Sequence, residues 1–335
     1  MPVRDVIIVG AGPSGLAAAI TAKHHNLDYQ VLEQGVLVNS IFRFPPQMVF
    51  FTTPELLEIG DVPFTSPYEK PTRAEALTYY RKVVDKFDLS IAYDEAVVSI
   101  APEGTAEGHS EPLFAVETRT TRGVHRVRHA RFVVLAIGYF DRPVILGIPG
   151  EDLPHVHHFY TEPHPYYRQR VVVVGGGNSA AEASLDMFRA GAHVTLIHRH
   201  AELKNTIKYW VRPDIENRIK EESVAARFST CVTEIRPTSV LTRGASGTEE
   251  IPADAVFLLT GYRADSDLMA RAGITFNERK APHHSPETFE TNVPNLFVAG
   301  GAIAGEDTGT VFIENGRFHG AKIVDLIAKR IAEAR

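Results

Sequence analysis

The sequence predicts an α/β protein built on two parallel sheets, each with helices on both faces, and three observations carry that prediction. Two β-branched runs, "DVIIVG" at 5–10 and "VVVVGG" at 171–176, each feed a glycine turn and then an alanine-rich helical stretch. A further strand, "DYQVLE" at 28–33 or "HVTLIHR" at 193–199, closes each βαβ unit. The C-terminal "NLFVAGGAIAG" at 295–305 and the helical stretch after it supply strand, turn and helix without a second strand, so this tail is expected to complete the first domain. Continuous apolar runs without alternation suit strands buried on both faces, which is the condition of a parallel sheet between helix layers.

Between the two units, "TRAEALTYYRKVVDKF" at 72–87 opens with Thr72 and Glu75 at capping-box spacing, which predicts a helix. The segments "LSIAY", "AVVSI", "LFAVET" and the alternating "VHRVRHARFVVLAIG" follow, and they predict an antiparallel layer inserted into the first domain. Proline- and glycine-rich stretches, "DRPVILGIPGEDLP" at 141–154 and "TGYRADSD" at 260–267, are the expected domain crossings. The domains are therefore read as 1–146, 147–263 and 264–335, the first and last being two segments of one domain.

Of the 335 residues, 44% are hydrophobic and 23% charged, with a net charge of −6 and no run of five or six basic residues. Nucleic acid is not an expected partner. One cysteine, Cys231, excludes an internal disulfide, a thiolate metal cluster and a CxxC dithiol, and suits a reducing cytosol. It falls in "RFSTCVTEI", a strand pattern in which a buried, inert thiol is expected. No apolar span of membrane length appears, so a cytoplasmic protein without a membrane partner is expected. His155, His157 and His158, with Glu162 and His164 nearby, are read as a polar loop crossing between domains, and no metal site is expected.

The two turns differ at one place. Gly10, Gly12 and Gly15 form Gly-x-Gly-x-x-Gly between strand and helix, and Glu33 stands 23 residues after Gly10 at the end of the next strand. Such a turn lets backbone approach a pyrophosphate at a helix N-terminus, and the acid accepts hydrogen bonds from a ribose diol. In the second turn Gly175, Gly177 and Ala180 repeat the pattern, but 23 residues after Gly175 comes His198, followed by Arg199 and His200, with Lys204 nearby. A 2′-phosphate would be repelled by a carboxylate and drawn to these bases, so the second site reads as NADPH-selective. The fold expected is thus two Rossmann-like, three-layer ββα dinucleotide-binding domains, the NADPH domain inserted into a discontinuous FAD domain.

This arrangement resembles the two-dinucleotide flavoprotein reductases, with "VVLAIG" at 133–138 and "VFLLTG" at 256–261 similar to their crossover motifs and "TNVPNLFVAGG" to their second flavin motif. The chain looks like a thioredoxin reductase in size and order, but "PHVHHFYTEPHPYYRQR" carries no sulfur where the dithiol of that family lies. Four further stretches, at 39–64, 159–184, 207–219 and 311–320, resemble the YpdA-type family of bacillithiol-disulfide reductases. The resemblance implies FAD, NADPH, a homodimer and a small-molecule acceptor such as a low-molecular-weight disulfide. The flavin set it implies comprises Gly10, Gly12, Pro13, Ser14, Gly15, Glu33, Gln34, Asn39, Ser40, Val97, Ala136, Gly138, Gly300, Gly301, Gly309, Thr310 and Val311. The NADPH set comprises Gly175, Gly177, Asn178, Ser179, Ala180, His198, Arg199, His200, Lys204 and Gly261. Phe42, Phe44, Met48, Phe50 and Phe51 fall near the flavin ring by the same resemblance, and ordinary core packing explains them equally well. Glu314, Asn315 and Arg317 are read as helix caps.

Two departures matter. Many members carry a cysteine where this chain has Ser14, and flavoproteins of this kind usually place an aspartate where it has Gly301. No catalytic side chain is assigned. The rival readings are a ferredoxin or flavodoxin NADP reductase, a flavin monooxygenase and, outside enzymology, an NADPH-sensing flavoprotein.

Overall fold

Val6 and Ile8 face one side of strand β1 (Val3–Val9) and Ile7 and Val9 the other, and all four are buried in two separate cores. The apolar run is unbroken because both faces of the strand are covered. The computed structural model describes residues 3–103, 113–245 and 247–334. They fall into two units: Met1–Phe44, Met48–Arg142 and Arg263–Arg335, and Pro45–Gln47 with Pro143–Tyr262.

In the first unit β1 is followed by α1 (Pro13–His24), β2 (Tyr29–Leu32), the single turn α2 (Asn39–Phe42), α3 (Arg73–Phe87), β3 (Ile91–Ala92), β4 (Ala96–Glu103), β5 (Leu113–Arg119) and β6 (His125–Leu135). Helix α3 starts as its spacing predicts: Glu75 N–H donates to Thr72 Oγ1 at 3.2 Å and Thr72 N–H to Glu75 Oε2 at 2.8 Å. The expected antiparallel layer exists as β4–β5–β6, with two corrections. "LSIAY" is not part of it, because α3 crosses the sheet face and returns the chain in the same direction, so β3 runs parallel to β2 with Val31 opposite Ile91. Nor is the layer separate. Residues 125–130 of β6 pair antiparallel with β5, while the strand continues parallel to β1, so one sheet holds both.

Glu95, only 2% exposed, pins the layer: Arg128 donates to its two oxygens at 2.6 and 2.8 Å, and Arg126 and Thr118 donate as well. Burial pushes its carboxyl up, but these donors outweigh burial and hold it down at about 2.

The second unit contains β7 (Val156–His157), β8 (Arg170–Val174), α4 (Asn178–Arg189), β9 (His193–Ile197), α5 (Arg212–Lys220), β10 (Ala225–Arg227), β11 (Cys231–Arg236), β12 (Ser239–Gly244), β13 (Gly247–Pro252) and β14 (Ala255–Leu258). Its parallel sheet runs β10-β9-β8-β14-β7, beside an antiparallel β11-β12-β13 sheet. Val171 and Val173 enter one core and Val172 and Val174 the other, repeating the logic of β1. Two readings are corrected here. His157 is in an edge strand, not a polar crossing loop, because Val156 pairs with Val256 and the imidazole packs 5.0 Å from the Phe257 ring. Cys231 opens a strand as expected but is exposed, since it begins an edge strand with its side chain off the core.

The chain returns to the first unit through α6 (Ser266–Arg271), β15 (Leu296–Val298) and α7 (Ile313–Glu333). β15 pairs parallel with residues 133–135 of β6, completing the sheet. α7 packs against α1 so closely that a Cβ on Gly320 would stand 2.1 Å from Ser14 O. Phe312 N–H donates to Asn315 Oδ1, the expected cap, whereas Arg317 reaches the carbonyls of Glu55 and Glu58 instead of its own helix end.

Candidate functional site

The three glycines of the first turn have different reasons to be glycine. Gly10 has φ 103°, and a Cβ there would lie 2.5 Å from Ala136 O. At Gly15 a Cβ would lie 2.0 Å from Gly10 O. These two are demanded by the fold. Gly12 has φ −78°, and a Cβ there would meet no atom within 4 Å. Nothing inside the protein requires a glycine at 12, so the cradle is shaped for a group that approaches from outside. Gly12 also caps α1, which begins at Pro13 and Ser14 with no acidic residue in its first turn. The unneutralised helix dipole and free N–H groups favour an anion there.

Glu33 is 4% exposed at the end of β2. Its Oε2 accepts from Ala11 N–H and its Oε1 from Gly35 N–H, both at 2.8 Å. Burial pushes its carboxyl up first, opposed by these backbone donors and reinforced by the charge of Asp141. Each oxygen keeps a lone pair for a further donor, so the group fits a ribose diol.

Asn39 and Ser40 do not stand free. Asn39 Nδ2, Ser40 Oγ and Arg43 Nη1 all donate to the Asp141 carboxylate, at 3.1, 3.0 and 3.1 Å, with Gln34 Nε2 at 3.5 Å. Asp141 thus holds the α2 turn against the crossover after β6. Sequence reading missed it, and its one signal is an acid three residues beyond the Gly138 crossover. Among the aromatic residues Phe50 is buried, Phe44 packs edge-on to Phe140 at 4.8 Å, and Phe42 and Phe51 are exposed.

The tail brings Gly300 to the first turn. Gly300 has φ 60°, and a Cβ there would lie 2.4 Å from Ser14 Oγ. The Ser14 hydroxyl donates to Gly316 O at 2.9 Å. Gly300 N–H donates to Nδ1 of His319, whose imidazole stacks on Phe289 at 4.2 Å. Burial, then His284 and Lys322, pulls His319 down to about 4, so it is a neutral acceptor at neutral pH. Gly138, with φ 59°, and Gly309 leave open space where a Cβ would stand. Ala136 and Val311 are buried and Thr310 Oγ1 donates to Asp307 O. The side chain of Val97 packs in the core on the sheet face opposite α1.

In the second turn a Cβ on Gly175 would lie 2.5 Å from Leu259 O and 2.9 Å from the buried Ala180 Cβ. Gly177, with φ −106°, is open, its nearest neighbour being Lys204 Cδ at 3.9 Å. α4 likewise begins without an acidic residue in its first turn. Gly176, unassigned from sequence, carries the His198 ring: a Cβ there would lie 2.3 to 2.5 Å from three ring atoms. His198 is 5% exposed, and its Nε2 has no hydrogen-bond partner among the described residues. Burial first, then His200, Lys204 and Arg199, lowers its pKa. Arg199, His200 and Lys204 are exposed, Arg199 Nε lies 3.2 Å from His200 Nε2, and Lys204 N–H donates to Gly176 O at 2.9 Å. Asn178 bonds Lys208 N–H and Thr206 O, fixing the following loop, while Ser179 is exposed. Gly261, φ 113°, is open. An orphaned buried imidazole among three bases, beside a glycine cradle, fits a phosphorylated ribose. No group of three or more His, Cys, Asp or Glu among the described residues is arranged to hold a metal, and no described helix is long and apolar enough to cross a membrane.

The family model for pyridine nucleotide-disulphide oxidoreductases matches residues 7–300. The chain belongs to this family. It is 39% identical over 331 residues to the bacilliredoxin reductase Bdr of Bacillus subtilis (strain 168), covering 98% of each chain. Among solved structures it matches the bacillithiol disulfide reductase Bdr (YpdA) of Bacillus cereus at 37% identity and a TM-score of 0.93, over 98% of this chain and 100% of that one. The Staphylococcus aureus counterpart gives 36% identity and a TM-score of 0.90 over the full length of both. The YpdA-type membership and the two-domain α/β fold expected from sequence therefore stand. The protein is an oxidoreductase of this family with the fold of thioredoxin reductases, and membership implies use of a flavin and a pyridine nucleotide.

Proposed function

We propose that the protein takes reducing equivalents from NADPH, through FAD, to a low-molecular-weight disulfide of the bacillithiol type. The observation that carries the donor half is the replacement of Glu33 by His198, with Arg199 and Lys204, at the same offset from the second turn. Support for the acceptor comes from the two Bdr structures, whose names specify bacillithiol disulfide. A homodimer is part of the same proposal on the family resemblance alone, and a reducing cytosol on the single cysteine.

Bound flavin would supply the hydride and electron chemistry. The chain's own part is to bind and orient. Gly12 and the N-terminus of α1 receive the FAD pyrophosphate, and Glu33 accepts from its ribose. Gly177 and the N-terminus of α4 receive the NADPH pyrophosphate, while Arg199 and Lys204 pair with the 2′-phosphate and His198 Nε2 gains a partner. Ser14, fixed by its bond to Gly316 O, cannot form a mixed disulfide, and one cysteine cannot form an internal dithiol. These residues therefore supply no thiol relay, and the redox chemistry toward the acceptor would be that of the bound flavin.

The test is to reduce the purified protein with NADPH without oxygen and then offer oxidised bacillithiol, other disulfides, quinones and ferredoxin. Reoxidation by oxidised bacillithiol far above the buffer rate is expected, and unchanged in Cys231→Ser. Reoxidation at the buffer rate would remove this acceptor.

A further inference from the structure

Tyr139, next to Gly138, lies against two further segments assigned to the flavin. A Cβ placed on Gly301 would lie 2.7 Å from Cδ1 and 2.9 Å from Cε1 of the Tyr139 ring, and 3.5 Å from Gly138 Cα. The ring fills the space that any side chain at 301 would need. Gly301 does not adopt a positive φ, so its glycine answers to the ring and not to the backbone. At the other end of the side chain the phenol donates to Thr308 O at 3.1 Å, with Val311 O at 3.5 Å. Burial, then the charge of Glu314, raises the phenol pKa, which keeps it a neutral donor.

We propose that Tyr139 is a positioning residue of the flavin site, setting the spacing between the Gly300–Gly301 turn and the Gly309–Val311 segment in place of any side chain at 301. This rests on the flavin reading above. The ring acts as a spacer and the hydroxyl as a tie, and the two functions separate by substitution. Tyr139→Phe keeps the spacer and cuts the tie. Gly301→Ala crowds the spacer, and Tyr139→Ala frees the room that the new methyl needs.

The experiment is a double-mutant cycle read by flavin titration of the apoprotein, by visible circular dichroism of the bound flavin, and by thermal melting of the apoprotein. Gly301→Ala alone is expected to weaken flavin binding at least about tenfold, as overpacking does. In the Tyr139→Ala background the same substitution should cost less than about threefold, a coupling that independent sites do not show. Tyr139→Phe should weaken binding roughly tenfold and change the flavin dichroism while the apoprotein melts as wild type. Additive effects in the cycle, or a Tyr139→Phe protein with wild-type affinity and dichroism, would overturn the proposal and leave the flavin reading intact. Wild-type protein that binds no flavin would overturn that reading, and the proposal with it.

Discussion

Glu33 and His198 occupy equivalent places, each 23 residues beyond the first glycine of its turn, and each is almost fully buried. Burial pushes both toward neutrality, raising the carboxyl and lowering the imidazole. Their surroundings diverge. Both oxygens of Glu33 already hold backbone N–H groups of the turn and of the following loop, whereas His198 Nε2 has no partner among the described residues and its ring lies on Gly176. The carboxylate thus doubles as a brace for its own turn, while the imidazole needs the glycine run to accommodate it. On the function proposed above, one turn geometry would serve two nucleotides, the flanking glycines building the turn and the residue at the strand end setting the charge presented there.

The largest effect expected on this comparison comes from glycines that serve the fold. Gly15→Ala or Gly175→Ala drives a methyl into a backbone oxygen, so each should lose about 3 kcal/mol or more and its own unit's cooperative melting. A wild-type melt for either variant would break the distinction between fold-built and ligand-built glycines. Next are the open positions. Gly12→Ala should fold normally yet lose flavin retention about a hundredfold, and Gly177→Ala should do the same for NADPH while staying yellow. Visible absorbance and nucleotide titration separate the two.

Arg199→Glu follows, with NADPH affinity falling roughly tenfold to a hundredfold and NADH affinity much less. Equal losses would remove its 2′-phosphate role. The smallest effect is a pH slope. His198 and His319 both have lowered folded pKa values, so the stability they contribute is full above pH 6.5 and is lost as pH falls through those values, toward about 4 for His319. Melting temperature between pH 7 and about pH 4 should therefore fall less steeply in His319→Asn than in wild type. Parallel slopes would show that protonation of His319 is not being resisted.

Local spacing made much of this legible in the sequence. The two βαβ units, the Thr72–Glu75 capping box and the contrast of Glu33 with His198 all lie within a few tens of residues, where helix and strand periods fix the geometry. Register over longer separations did not show. Asp141 gathers Asn39, Ser40 and Arg43 from about a hundred positions away, and Tyr139 meets Gly301 only once β15 has paired with β6. The direction of β3 and the strand at His157 depended on partners that no local pattern names. Cys231 reads as a core thiol by composition, and its place at a sheet edge exposes it.

The hydrogen bond from Ser14 to Gly316 spans 302 residues of chain. During synthesis α1 must wait for α7, while the inserted unit is finished at Tyr262. At about 5–20 residues per second, the inserted unit has several seconds in which to fold before the first unit can close. The inserted unit is therefore complete in synthesis first, and the first unit, whose α1 waits for α7, closes last.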